Sequence, residues 1–338
     1  MRAWIPSYVE VAMPETLNLS TSGRLAGAAA SDVVIGVDGL QKTFRLGFFR
    51  RKVNAVEHAT FEVHRGEIFG LVGHNGAGKT TCMKMMLGLI RPDAGTGHIL
   101  GVPISESRSR AKVGFLPESP HFYDYLRPAE VLDYFAGLYG MDRHMARRRI
   151  PELIERVGLK GAEDKQLRKF SKGMLQRLGL AQALLPDSEI VILDEPQSGL
   201  DPLGRKDVRD IIVELKQRGK TVLFSSHVLP DVEHVCDRLA MMVRGRVTLT
   251  GTLDELLADQ TPHIELVARL AGDAATALPG FESVRLPDGR LRFDVPDQGR
   301  ADELIVRLVE GGHSVHSVIP HRRSLEELFV TQTRGGKP

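Results

Sequence analysis

The 338-residue sequence predicts an α/β protein with a mostly parallel sheet, interrupted by a helical subdomain and followed by a small α+β unit. Three observations predict it. Short apolar runs alternate with helical patterns from Asp32 to about residue 250. The stretch 128–183 is mainly helical in period. Beyond Gly251 the patterns follow the order βαββαβ with a tail helix.

Residues 1–31 are rich in small and polar side chains and read as a poorly ordered leader. Val33–Val37 reads as the first strand, and the basic stretch from Arg45 to Lys52, around Phe48 and Phe49, as a loop between strands. The apolar run Glu67–Val72 leads into a glycine-rich loop and then a helix from Lys79 to about Ile90. A short strand is expected at Val113–Phe115. Val131, Leu132, Phe135 and Leu138, then Ile154, Val157 and Leu159, mark helical faces in an inserted subdomain at about 117–183. Next come a strand at 189–193, a helix at 203–217, a strand at 221–226, a short helix near 231–235 and a hairpin around Gly245. In the last part, strands are expected at 262–270, 282–286, 291–295 and 314–319, with helices at 272–278, 300–310 and 324–331. That order is a ferredoxin-like plan. The chain thus divides into 1–31, 32–250 and a small domain at 260–333.

Composition narrows the function. With 42% hydrophobic and 26% charged residues, the chain has the balance of a globular protein. Its 45 Lys+Arg against 43 Asp+Glu leave a net charge of +2, which argues against a protein that coats nucleic acid. Cys82 and Cys236 are the only cysteines, too few for a disulfide framework, so a reducing compartment is expected. No run approaches the ~18 apolar residues of a membrane span. Pro6, Glu10, Pro14 and Glu15 break up the start of the chain, so no signal peptide is expected. Work at a membrane would then require another chain.

Two motifs carry chemistry. Gly73-His74-Asn75-Gly76-Ala77-Gly78-Lys79-Thr80 fits G-x-x-x-x-G-K-[ST] between an apolar strand and a helix. Such a loop curls its N–H groups around phosphate oxygens, and the following helix offers them its positive end. Lys79 reaches the β- and γ-phosphates, and the Thr80 hydroxyl suits Mg²⁺. The second motif is Ile190–Leu193 followed by Asp194-Glu195. Two acids at the carboxyl edge of a buried strand are costly unless they meet a cation or a proton. Asp194 is expected to hold Mg²⁺ beside Thr80, and Glu195 to act as general base toward water.

These motifs stand among others. Phe170-Ser171-Lys172-Gly173-Met174-Leu175-Gln176-Arg177 resembles the LSGGQ signature of ATP-binding cassette ATPases. Ser198-Gly199-Leu200-Asp201 resembles that family's D-loop, His227 its switch histidine, and Phe44 the aromatic that stacks on adenine. The resemblance covers about residues 32–250. It implies a P-loop NTPase (RecA-like) core, ATP and Mg²⁺ as ligands, and ATP hydrolysis. It also implies a head-to-tail dimer, in which Ser171 and Gly173 of one subunit close over ATP held by the other. Gly73, Asn75, Gly76, Ala77, Gly78, Lys79, Thr80 and Thr81 would bind the nucleotide, with Phe44, Ser171, Gly173 and Asp201. Glu195 and His227 would be catalytic, and Thr80, Asp194 and Glu118 would face the metal. The sequence departs from the pattern at Lys172 and Met174, and at Glu118, where the family usually has glutamine.

A single cassette without spans resembles the ATPase subunit of a transporter whose permease is a separate chain. The segments around Gly66–Leu71, Pro117–Ser119 and Ser324–Phe329 resemble those of ABC-2-type exporters. The expected place is therefore the cytoplasmic face of the cell membrane, peripheral through the permease, with no nucleic acid as partner. The aromatics Phe122, Tyr123 and Tyr125 suit a partner interface, or else pack under the helical subdomain. Set against export are a soluble cassette ATPase acting on ribosomes or nucleic acid, and an importer ATPase. The single cassette speaks against the ribosome-acting type, and a C-terminal region of only about 75 residues against the importer type.

Overall fold

The apolar runs bounded by turn residues become strands. The computed structural model describes residues 32–46, 51–258, 263–271, 278, 280–321 and 325–335. β1 (Val33–Leu46) and β2 (Arg51–His64) pair antiparallel, and β3 (Ile68–Val72) leads into α1 (Lys79–Met86). β4 (Ala94–Ile99), β5 (Val102–Pro103) and β6 (Val113–Leu116) follow. Then come α2 (Pro128–Leu138), α3 (Arg143–Arg156) and α4 (Lys172–Leu184). β7 (Ile190–Leu193), α5 (Pro202–Gln217), β8 (Thr221–Ser226), α6 (Leu229–Glu233), β9 (Arg238–Val243), β10 (Arg246–Thr252) and α7 (Leu253–Ala258) continue the chain. The last part holds β11 (His263–Arg269), β12 (Ser283–Arg285), β13 (Leu291–Val295), α8 (Gln298–Glu310), β14 (Ser314–His321) and α9 (Leu325–Gly335).

The first ten strands form one sheet in the order β5-β4-β1-β2-β10-β9-β3-β8-β7-β6. From β9 to β6 every pairing is parallel, whereas β1, β2, β4 and β5 make an antiparallel wing. β3 and β7 are buried at every position, as strands covered on both faces must be. Their side chains alternate. Ile68, Val72, Val191 and Leu193 join the core under the helical subdomain, while Phe69, Leu71, Ile190 and Ile192 join the core under α1. The loops after β3, β6, β7 and β8 leave from carboxyl ends of adjoining parallel strands, where ligands bind in such sheets.

The last four strands form an antiparallel sheet, β12-β13-β11-β14. Ile264, Leu266, Phe293 and Val295 pack there with Ala301, Leu304 and Leu308 of α8, a separate third cluster. α9 does not join it, since Leu325 and Leu328 belong to the core under the helical subdomain.

Several expectations shift. β1 runs on to Leu46 rather than ending at Val37, because register shifts after Val37 absorb Gly39 and keep the strand paired. Of the expected loop at Arg45–Lys52, Arg45 pairs with Lys52 and Leu46 with Arg51 as strand ends, while residues 47–50, with Phe48 and Phe49, lie outside the described residues. α1 stops at Met86, before Ile90, and Gly88 turns away at φ 63°. β4, β5 and α7 were not foreseen, and the core reaches past residue 250 through β10 and α7. The leader 1–31 and nearly all of the helix expected at 272–278 lie outside the described residues. Both cysteines are buried and free. Among the described residues, no helix is long and apolar enough to cross a membrane.

Candidate functional site

Between β3 and α1 the chain curls through Gly73–Gly78. Gly78 sits at φ 107°, and a Cβ there would strike the Ala55 carbonyl at 2.3 Å, so only glycine fits. The loop is tied to its surroundings by the Gly73 N–H, which donates to Ser226 O at 3.3 Å, and by the Gly245 N–H, which donates to Ala77 O at 2.9 Å. No side chain caps α1, so the amides of its first turn stay open to a ligand.

Lys79 is the first residue of α1 and is buried. Its Nζ donates to Gly73 O at 2.6 Å and His74 O at 3.3 Å, and lies 3.1 Å from Glu195 Oε1. The next residue, Thr80, donates from Oγ1 to Asp194 Oδ1 at 3.1 Å. Ser225 Oγ donates to the same oxygen at 2.7 Å. Asp194 has no solvent exposure, and its Oδ2 has no hydrogen-bond partner. Burial pushes this carboxyl above its ordinary range, and the charges of Glu118 and Glu195 add to the rise.

Glu195 leaves β7 in a left-handed conformation, φ 48°, which an ordinary side chain adopts only at a cost. That turn sets its carboxylate between two partners, Lys79 and the His227 Nδ1, 2.8 Å from Oε2. The Glu195 N–H donates to Ser225 Oγ at 2.9 Å, and its carbonyl accepts from Gln176 Nε2 at 3.2 Å.

A cavity of about 450 Å³ opens over the loop. Phe44, residues 75–81, Glu118 and Glu195 line it, together with Val53, Asn54 and Ala55. His227 lines an adjoining cleft of about 160 Å³, and Glu195 lines both. Ser171, Gly173 and Asp201 line neither. Ser171 caps α4 through the Met174 N–H at 3.2 Å, and Asp201 caps α5 through the Gly204 N–H at 2.9 Å.

Residues 56–198 match the family profile described as ABC transporter. An uncharacterized ABC transporter ATP-binding protein of Nostoc sp. is 43% identical over 304 residues, 88% of this chain and 89% of that one. The chain belongs to the ABC transporter ATP-binding proteins. The daunorubicin resistance ATP-binding protein DrrA3 of Streptomyces coeruleorubidus is 34% identical over 311 residues, 90% of this chain and 96% of that one. A bacterial ABC transporter cassette solved as a dimer is 21% identical with a TM-score of 0.60, covering 65% of this chain and 98% of that one, and shares the fold.

This ABC subunit is an ATP-hydrolysing enzyme. The family's ligands, ATP and Mg²⁺, fit the residues present. Asp194 Oδ2 is a buried oxygen without a partner, and the Thr80 hydroxyl is a second hard oxygen beside that carboxylate. Among the described residues no group of three His, Cys, Asp or Glu could hold a metal by protein ligands alone. Mg²⁺ suits such a place, because it is usually bound by one or two carboxylates with substrate phosphates and water. Two positions escaped sequence reasoning. Ser225 bonds the Asp194 carboxylate and the Glu195 N–H, and Gln176, within the Phe170–Arg177 motif, holds the Glu195 carbonyl. The available signal was polarity in an otherwise apolar strand or helix: both are buried.

Proposed function

We propose that this ABC subunit binds ATP with Mg²⁺ in the cavity over residues 73–81, hydrolyses it, and powers a separate membrane permease of the ABC-2 exporter type. The observation that carries the reading is one pair of arrangements where α1 meets the ends of β7 and β8: Thr80, Ser225 and Asp194 on one side, Lys79, His227 and Glu195 on the other.

In this reading Phe44 stacks on adenine. Lys79 and the N–H groups of Asn75, Gly76, Ala77, Gly78 and Thr81 bind phosphate oxygens, and Gly73 opens the turn. Thr80 and Asp194 would hold Mg²⁺, which supplies neutralising charge to the phosphates when bound. Glu118, on the rim, would face the same metal. Glu195 takes a proton from water while the water oxygen bonds to the γ-phosphorus. The bond from that phosphorus to the bridging oxygen breaks, its electrons stay on that oxygen, and ADP and phosphate leave. His227 keeps the Glu195 carboxylate aimed.

A second ATPase subunit completes the site head-to-tail, its Ser171, Gly173 and Asp201 facing the phosphates held by the first. Support comes from the exposure of Ser171 at the start of α4, outside the cavity of its own chain, and from the dimer in which the similar cassette was solved. The exporter branch is favoured by the likeness to the daunorubicin resistance protein, which at 90% of this chain extends into the C-terminal unit. We take that unit, 260–333, as a small domain of ferredoxin-like plan, on the strength of its antiparallel order β12-β13-β11-β14. The working place is the cytoplasmic face of the membrane, held there by the permease, and a net charge of +2 favours no nucleic-acid partner.

Glu195→Gln tests the reading. It should keep ATP binding and lose turnover by about 10²–10⁴-fold, the usual cost of removing a general base. Near-normal steady-state hydrolysis in that variant would refute the role of Glu195.

A further inference from the structure

The last helix of the chain leaves its neighbours. α8 buries Leu304 and Leu308 against the four-stranded sheet, whereas α9 sends Leu325 and Leu328 into the core of the ten-stranded part. The first N–H of α9, at Leu325, donates to Glu233 Oε1 at 2.5 Å. Glu233 ends α6, the short helix that begins two residues after His227. One turn into α9, the Phe329 ring meets His74 edge-on, with centroids 6.3 Å apart at 72°. His74 is the second residue of the glycine-rich loop. Its Nδ1 lies 2.7 Å from Asn75 O, and its own carbonyl accepts from Lys79 Nζ. One helix therefore touches both the loop that leads to Lys79 and the helix that follows His227.

We infer that α9 braces the phosphate loop and that Phe329 is a positioning residue for ATP binding, acting through His74. The inference rests on the reading of residues 73–80 as the phosphate cradle. A loop already held in its binding shape binds more tightly, because its ordering was met in folding. His74 stands exposed in the loop, and the Phe329 ring restrains it through an edge-to-face pairing with a preferred geometry. Without that ring, the loop is freer before ATP arrives. Its contacts to bound phosphates are unchanged. Affinity should fall while turnover at saturation holds.

The experiment uses the full chain and fluorescence titration with trinitrophenyl-ATP. Phe329→Leu keeps apolar bulk on α9, and Phe329→Tyr keeps the ring. The dissociation constant should rise about two- to tenfold in Phe329→Leu, the range spanned by aromatic pairs, and stay at the native value in Phe329→Tyr. KM for ATP should rise with it while kcat is unchanged. In a double-mutant cycle, Phe329→Leu should add nothing to His74→Ala. Lys79→Ala separates the two readings. If Lys79→Ala leaves the dissociation constant unchanged, the phosphate cradle is wrong and the brace with it. If Lys79→Ala weakens binding but Phe329→Leu does not, or lowers kcat alone, the brace is wrong and the cradle stands.

Discussion

Asp194 is fully buried, and burial raises its carboxyl above the ordinary range, with Glu118 and Glu195 adding negative charge nearby. The sign of the consequence follows. A carboxyl with a raised folded pKa favours the folded state at the acid end, and that favour is lost as pH climbs through the raised value. As pH climbs, ionising Asp194 therefore becomes a cost to the ligand-free fold. Asp194→Asn removes the charge and leaves an oxygen for Thr80 and Ser225. It should stabilise the ligand-free protein at pH 7, because it removes the charge that burial disfavours. Thermal melts of both proteins at pH 7 and pH 4 check this: the gain should be present at the higher pH and shrink at the lower. An equal difference at both would mean that charge is not the cause. Asp194 and Glu195 were legible in the sequence because two acids after four apolar residues stand out against their surroundings. The Ser225 hydroxyl that joins them was not, since a serine near a strand end is ordinary until its partner on another strand is known.

α4 begins at a serine that has two possible duties. Ser171 accepts the Met174 N–H and is exposed at the helix start, where free amides favour an anion. If these amides serve a neighbouring subunit, mixing Ser171→Arg with Lys79→Ala subunits should restore some ATPase over either alone, since one composite site in each mixed dimer is intact. Crosslinking of Ser171 to Lys79 within one subunit would contradict that arrangement. Elements with strong periodicity, such as α5 and the central strands, were legible. β4 was not, because Ala94-Gly95-Thr96-Gly97 has no alternation and owes its extended form to pairing with β1. α7 spans only six residues, too short to show a period. α9 showed its apolar spacing at Leu325 and Leu328, but spacing names no partner. Only the structure places them in the core under the helical subdomain rather than on the neighbouring small sheet.

Across the whole molecule, the segment after Glu118 divides its aromatics between inside and outside. Phe122 packs edge-on against Phe135, whereas Tyr123 and Tyr125 are 61% and 60% exposed, with ring centroids 5.7 Å apart. Exposed rings a few residues beyond Glu118 suit a partner, because they bury much area with few rotors to freeze. If the proposed permease docks here, Tyr125→Ala should weaken co-purification with it and spare the ATPase of the isolated subunit, and unchanged complex yield would remove Tyr125 from that surface. The sheet order has a further result, for a chain that leaves the ribosome amino end first. β3 lies between β8 and β9, so its flanking strands are made long after it. While they are missing, residues 73–80 have no Ser226 carbonyl, no Asp194 and no Gly245 amide to rest on. A half-synthesised chain thus carries the glycine-rich loop without the contacts that shape it, and cannot draw on cellular ATP to stabilise itself until translation has passed Gly245.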